Sequence, residues 1–375
     1  MQVHAMHRHA AVVRLLGARG AAQGRWAGDT PRGLAPRPPG GEFRVALAAP
    51  LRGPEGVWGP SCLASAQLAQ AELNRWSGIA GRPCELRVVD ASSDAAVGGR
   101  QLAQMAEDGE IDAIVGMCIS SVRQRIVRAT AGRVPFVYTC LYEGGDHSPG
   151  LYAIGETAAR QLKPSIAWLS RHRQARRWIL VGNDYVWPRV SHGIARRAIA
   201  AAGGEVVGET FLPLGGGDHA RVLEQLRTSG ADALLLSMVG QDAIDFNRAF
   251  GRLGLHRRML RLSCAIEENL LLAIGAEATQ DLYVALGYFE SLQTEANLAF
   301  KERYFARFGQ RAPALNSIGQ SCYEGLQFLG ALCADRAPQS PFGHTSAREA
   351  DGTCGSAPIY LAAADGHAFR VLARL

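Results

Sequence analysis

The sequence predicts an α/β protein made of two doubly wound lobes, each built on a parallel sheet. Three observations carry that prediction. Short apolar runs alternate with stretches of helical periodicity, and the alternation passes through two rounds. The runs are near-continuous, as strands covered on both faces by helices require. At 375 residues the chain is long for one domain and natural for two.

The elements follow in order from Phe43. FRVALAAP is a buried-strand run, and the Gly/Pro loop LRGPEGVWG follows it. A helix is expected over 61–77, with Ala66, Ala69, Leu73 and Trp76 on one face. GIAGRP turns the chain into a strand over 85–90. A helix over 95–107 precedes the strand DAIVG, 112–116, and MCISSVRQ passes from strand to helix with Ser120 or Ser121 placed to cap it. A fourth strand covers 134–139 and leads into the loop CLYEGGDHSPG.

The second round opens with a helix over 158–170 and the strand WILVG. The stretch 178–189, WILVGNDYVWPR, puts Asn183, Asp184, Tyr185 and Trp187 at a strand's carboxyl end, where open α/β sheets bind ligands. Pro188 suits the start of the next helix. Strands over 205–212 and 231–239 alternate with helices over 189–202, 219–229 and 241–253. A strand over 281–290 crosses back, followed by helices over 294–308 and 317–334. The C-terminus reads as a hairpin turning on Asp365-Gly366. Each βαβ crossover is expected to be right-handed.

Composition excludes several classes. No stretch approaches the ~20 apolar residues of a membrane span. The net charge of +6 lies mostly in residues 1–42, where six arginines face two acids, so the basic balance does not imply nucleic-acid binding. That Pro/Gly-rich segment reads as a disordered basic tail. Its apolar run, 10–16, is broken by Arg14, unlike a secretory signal, and the tract His4, His7 and His9 reads as solvated. Eight scattered cysteines form no CxxC pair and no zinc pattern, so no metal or other cofactor is expected. Scattered cysteines in a chain this size suit a reducing compartment, which points to the cytoplasm.

Catalytic motifs are absent. There is no GxGxxG with a later acid, and the glycines at 215–217 lack the lysine of a phosphate loop. No GxSxG elbow or HExxH occurs. Asp184 could face His192, and Cys118 or Cys140 could act with His147, but thiols just after buried strands are mostly passive. The chain is therefore expected not to be an enzyme.

The motifs VGMCISSVRQ (115–124), PFVYTCLYEGGDHSPGLY (135–152), VGNDYVWPR (181–189), MVGQDA (238–243) and SCAIEENL (263–270) occur in one order and spacing. In them the chain resembles the type I periplasmic binding proteins. Its nearest likeness is to the branch that holds the aliphatic amidase expression regulator and the urea- and short-chain-amide-binding proteins.

The resemblance implies two Rossmann-like lobes joined by three crossovers. The first would be 43–157 plus 288–335, and the second 158–287 plus 336–375. It also implies a ligand box. The family's cleft serine falls on Ser120, and its cleft tyrosines on Tyr138 and Tyr185, with an aromatic at Trp187. Gln241 comes from the loop after ALLLSMV. A tyrosine and a threonine of the amide sensor are replaced here by Cys118 and Cys140, which costs two hydroxyls. Asp184, Asp242, Glu267 and Glu268 are candidate partners for a ligand ammonium, or helix-start charges. The segment 335–356 is loop-like where the family has a helix and strand.

Two roles follow. One is a cytoplasmic sensor of a small neutral or zwitterionic ligand that controls an antiterminator-type partner. The other is the extracytoplasmic receptor of an ABC importer for amides, urea or branched-chain amino acids, partnered by a permease. A homodimer through first-lobe helices is implied by the same resemblance.

Overall fold

Seven consecutive apolar or half-buried positions, Phe43–Ala49, form strand β1 at the centre of the first sheet. The structure is a computed structural model that describes residues 41–93, 96–334 and 358–375. Apart from Gly41 and Glu42, the tail of 1–42 lies outside them, as does the whole divergent segment 335–356, Cys354 included.

Each strand of the first sheet is followed by a helix or loop that returns the chain for a parallel pairing. α1 (Gly59–Asn74) leads to β2 (Cys84–Asp90), and α2 (Ala96–Glu107) to β3 (Ala113–Gly116). α3 (Ser120–Thr130) leads to β4 (Phe136–Tyr138), and a loop to β5 (Leu151–Ala153). The order is β2-β1-β3-β4-β5, all parallel.

The second sheet begins after α4 (Ala158–His172). It takes β6 (Arg177–Asn183), α5 (Val186–Ala201), β7 (Glu205–Leu212), α6 (His219–Thr228), β8 (Ala233–Ser237), α7 (Gly240–Arg252) and β9 (Leu260–Ser263). α8 (Glu268–Ile274) and β10 (Leu282–Leu286) follow. The chain then returns to the first lobe with α9 (Glu295–Phe308) and α10 (Ser317–Cys333), where α10 packs along α1. The hairpin β11 (Tyr360–Asp365) and β12 (Ala368–Arg374) completes the second sheet as antiparallel strands. Its order is β12-β11-β10-β9-β8-β6-β7. The expected α/β architecture with two lobes on parallel sheets is the one found.

Three local expectations need correction. Trp76 is 90% exposed and does not lie on the buried face of α1, because the helix stops at Asn74 and the chain turns away. Neither Ser120 nor Ser121 caps α3; its N-cap is Ile119, in extended conformation. The strand β9 was not expected, because Arg261 interrupts its apolar run. That guanidinium is fully buried and spends its N–H groups on Asn247 Oδ1 (2.6 Å), Ala278 O (2.9 Å) and Gln280 O (2.5 Å). The two terminal nitrogens are answered in this way while Nε has no partner among the described residues, and the three bonds offset much of the cost of burying the charge.

Gly116 ends β3 at φ +149°, and a Cβ there would lie 1.9 Å from the Ala48 carbonyl oxygen. The sharp turn that sends the chain into α3 therefore needs glycine. Gly116→Ala should destabilise the protein by about 3 kcal/mol. A urea midpoint equal to that of the parent would show that the turn can relax.

Candidate functional site

Parallel strands present their carboxyl ends on one side of a sheet, and the two sheets turn those ends towards a common cavity. The first lobe supplies Trp58 from the loop after β1, Met117–Ser120 after β3, Tyr138, Cys140 and Leu141 at and after β4, and Ile318 on α10. The second supplies Tyr185 and Trp187 after β6, Val239 after β8 and Ala265 after β9. The cavity measures about 30 Å³. That is room for about two water-sized groups, so a larger ligand enters only as the lobes separate.

Of the residues singled out in the sequence, Cys118, Ser120, Tyr138, Cys140, Tyr185 and Trp187 stand together around this cavity. Gln241 does not, and that expectation is corrected. Its side chain is exposed and donates to Asp245 Oδ1 (3.0 Å), because the residue sits on the first turn of α7 facing outward. Its backbone N–H instead donates across the lobes to Pro54 O (2.8 Å).

The first-lobe wall is fixed by its own hydrogen bonds. Tyr138 donates its hydroxyl to Cys118 O (2.7 Å), and the Cys140 thiol donates to the Tyr138 oxygen (2.9 Å). Burial pushes the Cys140 thiol up to about 12 and the Cys118 thiol well above its usual range. Both are protonated at neutral pH and serve as packed walls rather than nucleophiles. Arg123 lies under the Tyr138 and Tyr142 rings, 5.2 Å from each centroid, and pairs with Glu143 (2.7 Å) and Asp146 (3.1 Å).

The candidate carboxylates have other partners. Asp184 is exposed and pairs with Arg189 (2.6 Å), while His192 pairs with Glu209 rather than with Asp184. Asp242 accepts from Asn183 Nδ2 (2.6 Å) and Gly215 N (2.9 Å). Glu268 accepts from Glu290 N (2.7 Å). Glu267 caps α8 through Asn269 N (2.8 Å), as a helix-start charge would.

Glu267 also does something the sequence did not announce. It accepts from Trp58 Nε1 at 2.6 Å, joining a first-lobe loop to a second-lobe helix. Asn269 Nδ2 adds a bond to Val57 O (3.2 Å). Trp58 was missed because it reads as one aromatic in a Gly/Pro loop. The available signal was its position just past a buried strand. Val239, Ala265 and Ile318 are apolar and carry no chemical mark in the sequence.

Several helices start at the cavity without a side-chain cap, as α4 also does elsewhere at Thr157. The N-cap residues of α1, α3, α5 and α7 are Trp58, Ile119, Tyr185 and Val239; all four line the cavity, and none makes a side-chain cap. By contrast α6, α8, α9 and α10 are capped by Asp218, Glu267, Thr294 and Asn316. Uncapped starts leave N–H groups without intrahelical partners and a positive dipole end. At α1, however, Gly59 N donates to Gly56 O of the 3-10 turn Gly56–Trp58, and at α7 Gln241 N donates to Pro54 O, so α3 and α5 are the open starts. Trp187 Nε1, buried at the same place, has no hydrogen-bond partner among the described residues.

Residues 42–350 match the model of the periplasmic binding protein family. Among solved structures, the chain is similar to a periplasmic binding protein from Burkholderia mallei, with TM-score 0.78 and 18% identity over 88% of this chain and 94% of that one. It is also similar to a solute-binding protein of an ABC transporter from R. palustris in complex with 4-hydroxybenzoate, with TM-score 0.76 and 16% identity over 89% and 96% of the two chains. A third is a branched-chain amino acid transporter substrate-binding protein from Streptococcus pneumoniae in complex with isoleucine, with TM-score 0.69 and 17% identity over 88% and 99%. At these identities the structural likeness speaks for the fold.

Two predictions follow from the contacts between lobes. A Cβ on Gly240 (φ +54°) would lie 2.0 Å from Pro54 O in the opposite lobe. Gly240→Ala should leave both lobes folded but hold them apart. Small-angle scattering should then show a larger radius than the parent, and an unchanged radius would place the closing contact elsewhere. The second concerns pH. Burial raises the Glu267 carboxyl to about 7, against hydrogen bonds from Asn269 and Trp58 that lower it. A group with a raised pKa holds its proton more tightly in the closed form, so closure takes up a proton. Ligand affinity should be highest at low pH, fall as pH rises from about 4.5 to about 7, and be flat above that. Glu267→Gln should flatten the profile, which titrations of Kd against pH will test.

Proposed function

We propose that this chain, which belongs to the periplasmic binding protein family, is the solute receptor of an ABC importer. Its ligand, in this reading, is a small molecule with an apolar body and a hydrogen-bond-accepting head, either a carboxylate or a carbonyl. The observation that carries the ligand class is the pair of uncapped helix starts, α3 and α5, one from each lobe, at one apolar box. Together with the partnerless Trp187 N–H they make a site rich in donors. None of its lining residues is an acid or a base. Helix starts hold carboxylates and carbonyl oxygens well, while a bare cation would find no counter-charge there.

Short acids, amides, urea and the branched-chain amino acids all offer such a head. Cys118 and Cys140 supply no hydroxyl, which favours ligands whose body is apolar. The importer role draws its support from the relatives, since two of the three are named as transporter components, one with 4-hydroxybenzoate and one with isoleucine. A receptor of this kind works outside the cytoplasm against a permease. The regulator role, with its antiterminator-type partner and cytoplasmic location, uses the same box but draws no comparable support. Binding without turnover is the activity this reading assigns.

The test begins with a thermal-shift panel on the purified protein: butanoate, butyramide, urea, benzoate, 4-hydroxybenzoate, leucine, isoleucine and valine. Stabilisation by members that carry the head and apolar body supports the ligand class; stabilisation by alkylamines instead would refute it. Loss of uptake of the identified ligand on deleting the gene supports the importer role. Unchanged uptake with altered expression of a neighbouring amidase would return the regulator. Ser120→Trp should abolish binding with an unfolding midpoint near the parent's, because it fills the box. Tyr185→Ala should weaken binding by about 1–3 kcal/mol; equal calorimetric affinity would make the ring mere packing.

A further inference from the structure

Behind the box lies a second cavity, of about 20 Å³, with a different character. Cys140, Leu141 and Ile318 line both cavities, so no more than these shared side chains stands between them. Apart from Ile154, Gly155 and Gly287, the rest of the lining is polar. α10 brings Ser317, Gln320, Ser321 and Glu324, and β4 ends beside it with Thr139. The far wall is the pair of segments where the chain passes between lobes. There Gly287 N donates to Glu156 Oε1 at 2.6 Å.

Two of these groups are left unanswered. Gln320 is 3% exposed and Ser317 is 8% exposed. The Gln320 Nε2 amide and the Ser317 hydroxyl find no hydrogen-bond partner among the described residues. Others are committed: Ser321 Oγ donates to Ile318 O (2.7 Å) and lies 3.0 Å from Thr139 Oγ1. A buried donor left without an acceptor is costly, so native structures nearly always supply one. The volume admits one water-sized group, since a single water needs roughly 10–15 Å³ on this scale. That group must accept from Gln320. A group that can also donate suits the chamber, because the carboxyl groups of Glu156 and Glu324 share the lining. An ammonium only donates and would leave Gln320 unanswered. A carboxylate only accepts and would face two acids.

We propose that this chamber is a second subsite of the box, and that it takes a hydroxyl at the far end of the ligand from its accepting head. This inference rests on the box being the ligand site. It adds Gln320 and Ser317 as the residues that decide between a hydroxylated ligand and its unsubstituted parent. Entry to the chamber passes the shared wall of Cys140, Leu141 and Ile318, so the hydroxyl's carrier is a slim chain or a flat ring.

The experiment compares matched probes on the full-length protein by calorimetry: butanoate, 4-hydroxybutanoate and 4-aminobutanoate, and beside them benzoate and 4-hydroxybenzoate. In the parent, at least one hydroxylated probe should bind tenfold or more tighter than its unsubstituted partner, and 4-aminobutanoate should gain nothing over butanoate. Gln320→Met removes the unanswered donor and should bring the hydroxyl preference to within about twofold. Should Gln320→Met fail to fold, Ser317→Ala should lower the same ratio. Equal binding of hydroxylated and unsubstituted probes by the parent would mean that the chamber holds water only; that result overturns this inference and leaves the box standing. A tighter 4-aminobutanoate would overturn it in favour of a cation. Binding of none of the five would overturn this inference, and silence of the whole thermal-shift panel as well would overturn the box reading with it.

Discussion

The Arg123 guanidinium is the fixed point of the first-lobe wall. It is 1% exposed, lies beneath two tyrosine rings and is paired with two acids of one loop. A charge so placed needs close partners to offset its burial. Here the partners are the rings of Tyr138 and Tyr142 and the carboxylates of Glu143 and Asp146. Tyr138 ends β4, and the other three come from the loop that follows it. The same contacts that neutralise the arginine therefore hold that irregular loop in one shape. Tyr138, held from below by the cation, can then spend its hydroxyl on Cys118 O and stand as a wall.

The second lobe builds its half of the box by other means. Tyr185 and Trp187 sit at the start of α5, and Asn183 ties the end of β6 to the start of α7 through Val239 N (3.0 Å) and Asp242 (2.6 Å). Three groups of hydrogen bonds then hold one lobe on the other: Pro54 with Gln241, Val57 with Asn269, and Trp58 with Glu267. The neutral contacts are modest in energy, so the lobes can part. Glu267 differs because its burial is tolerable only with its bonds made. Its protonation therefore couples closure to pH, as the other two contacts do not.

Much of the fold was legible because parallel strands covered on both faces must be apolar throughout. FRVALAA, WILVG and ALLLS could hardly be anything else. β9 escaped because one arginine hides in its middle, its charge answered by residues distant in sequence. β5 escaped because three residues carry no period. In the site, six of the seven residues read from the motifs meet around the cavity, because those motifs lie at strand ends. Gln241 failed because a first-turn position on α7 can point two ways, and the backbone rather than the side chain reaches the other lobe. Trp58, Val239 and Ala265 were invisible for a different reason. Trp58 and Val239 act as N-caps without a side-chain cap, Ala265 contributes shape alone, and none of these parts has a residue signature.

The placement of tryptophan gives the molecule a native optical signal. Trp58 and Trp187 both line the cavity, one from each lobe, and Trp58 is hydrogen-bonded to a titrating carboxylate. Trp178 is buried in the second sheet, and Trp76 stands in solvent. Indole emission shifts with the polarity around the ring, and a neighbouring carboxylate quenches it by an amount that depends on its charge. Lobe opening would wet the two cavity indoles while leaving Trp178 dry and Trp76 unchanged. The intrinsic fluorescence thus carries a moving component over a constant background, and closure can be followed in real time without a dye.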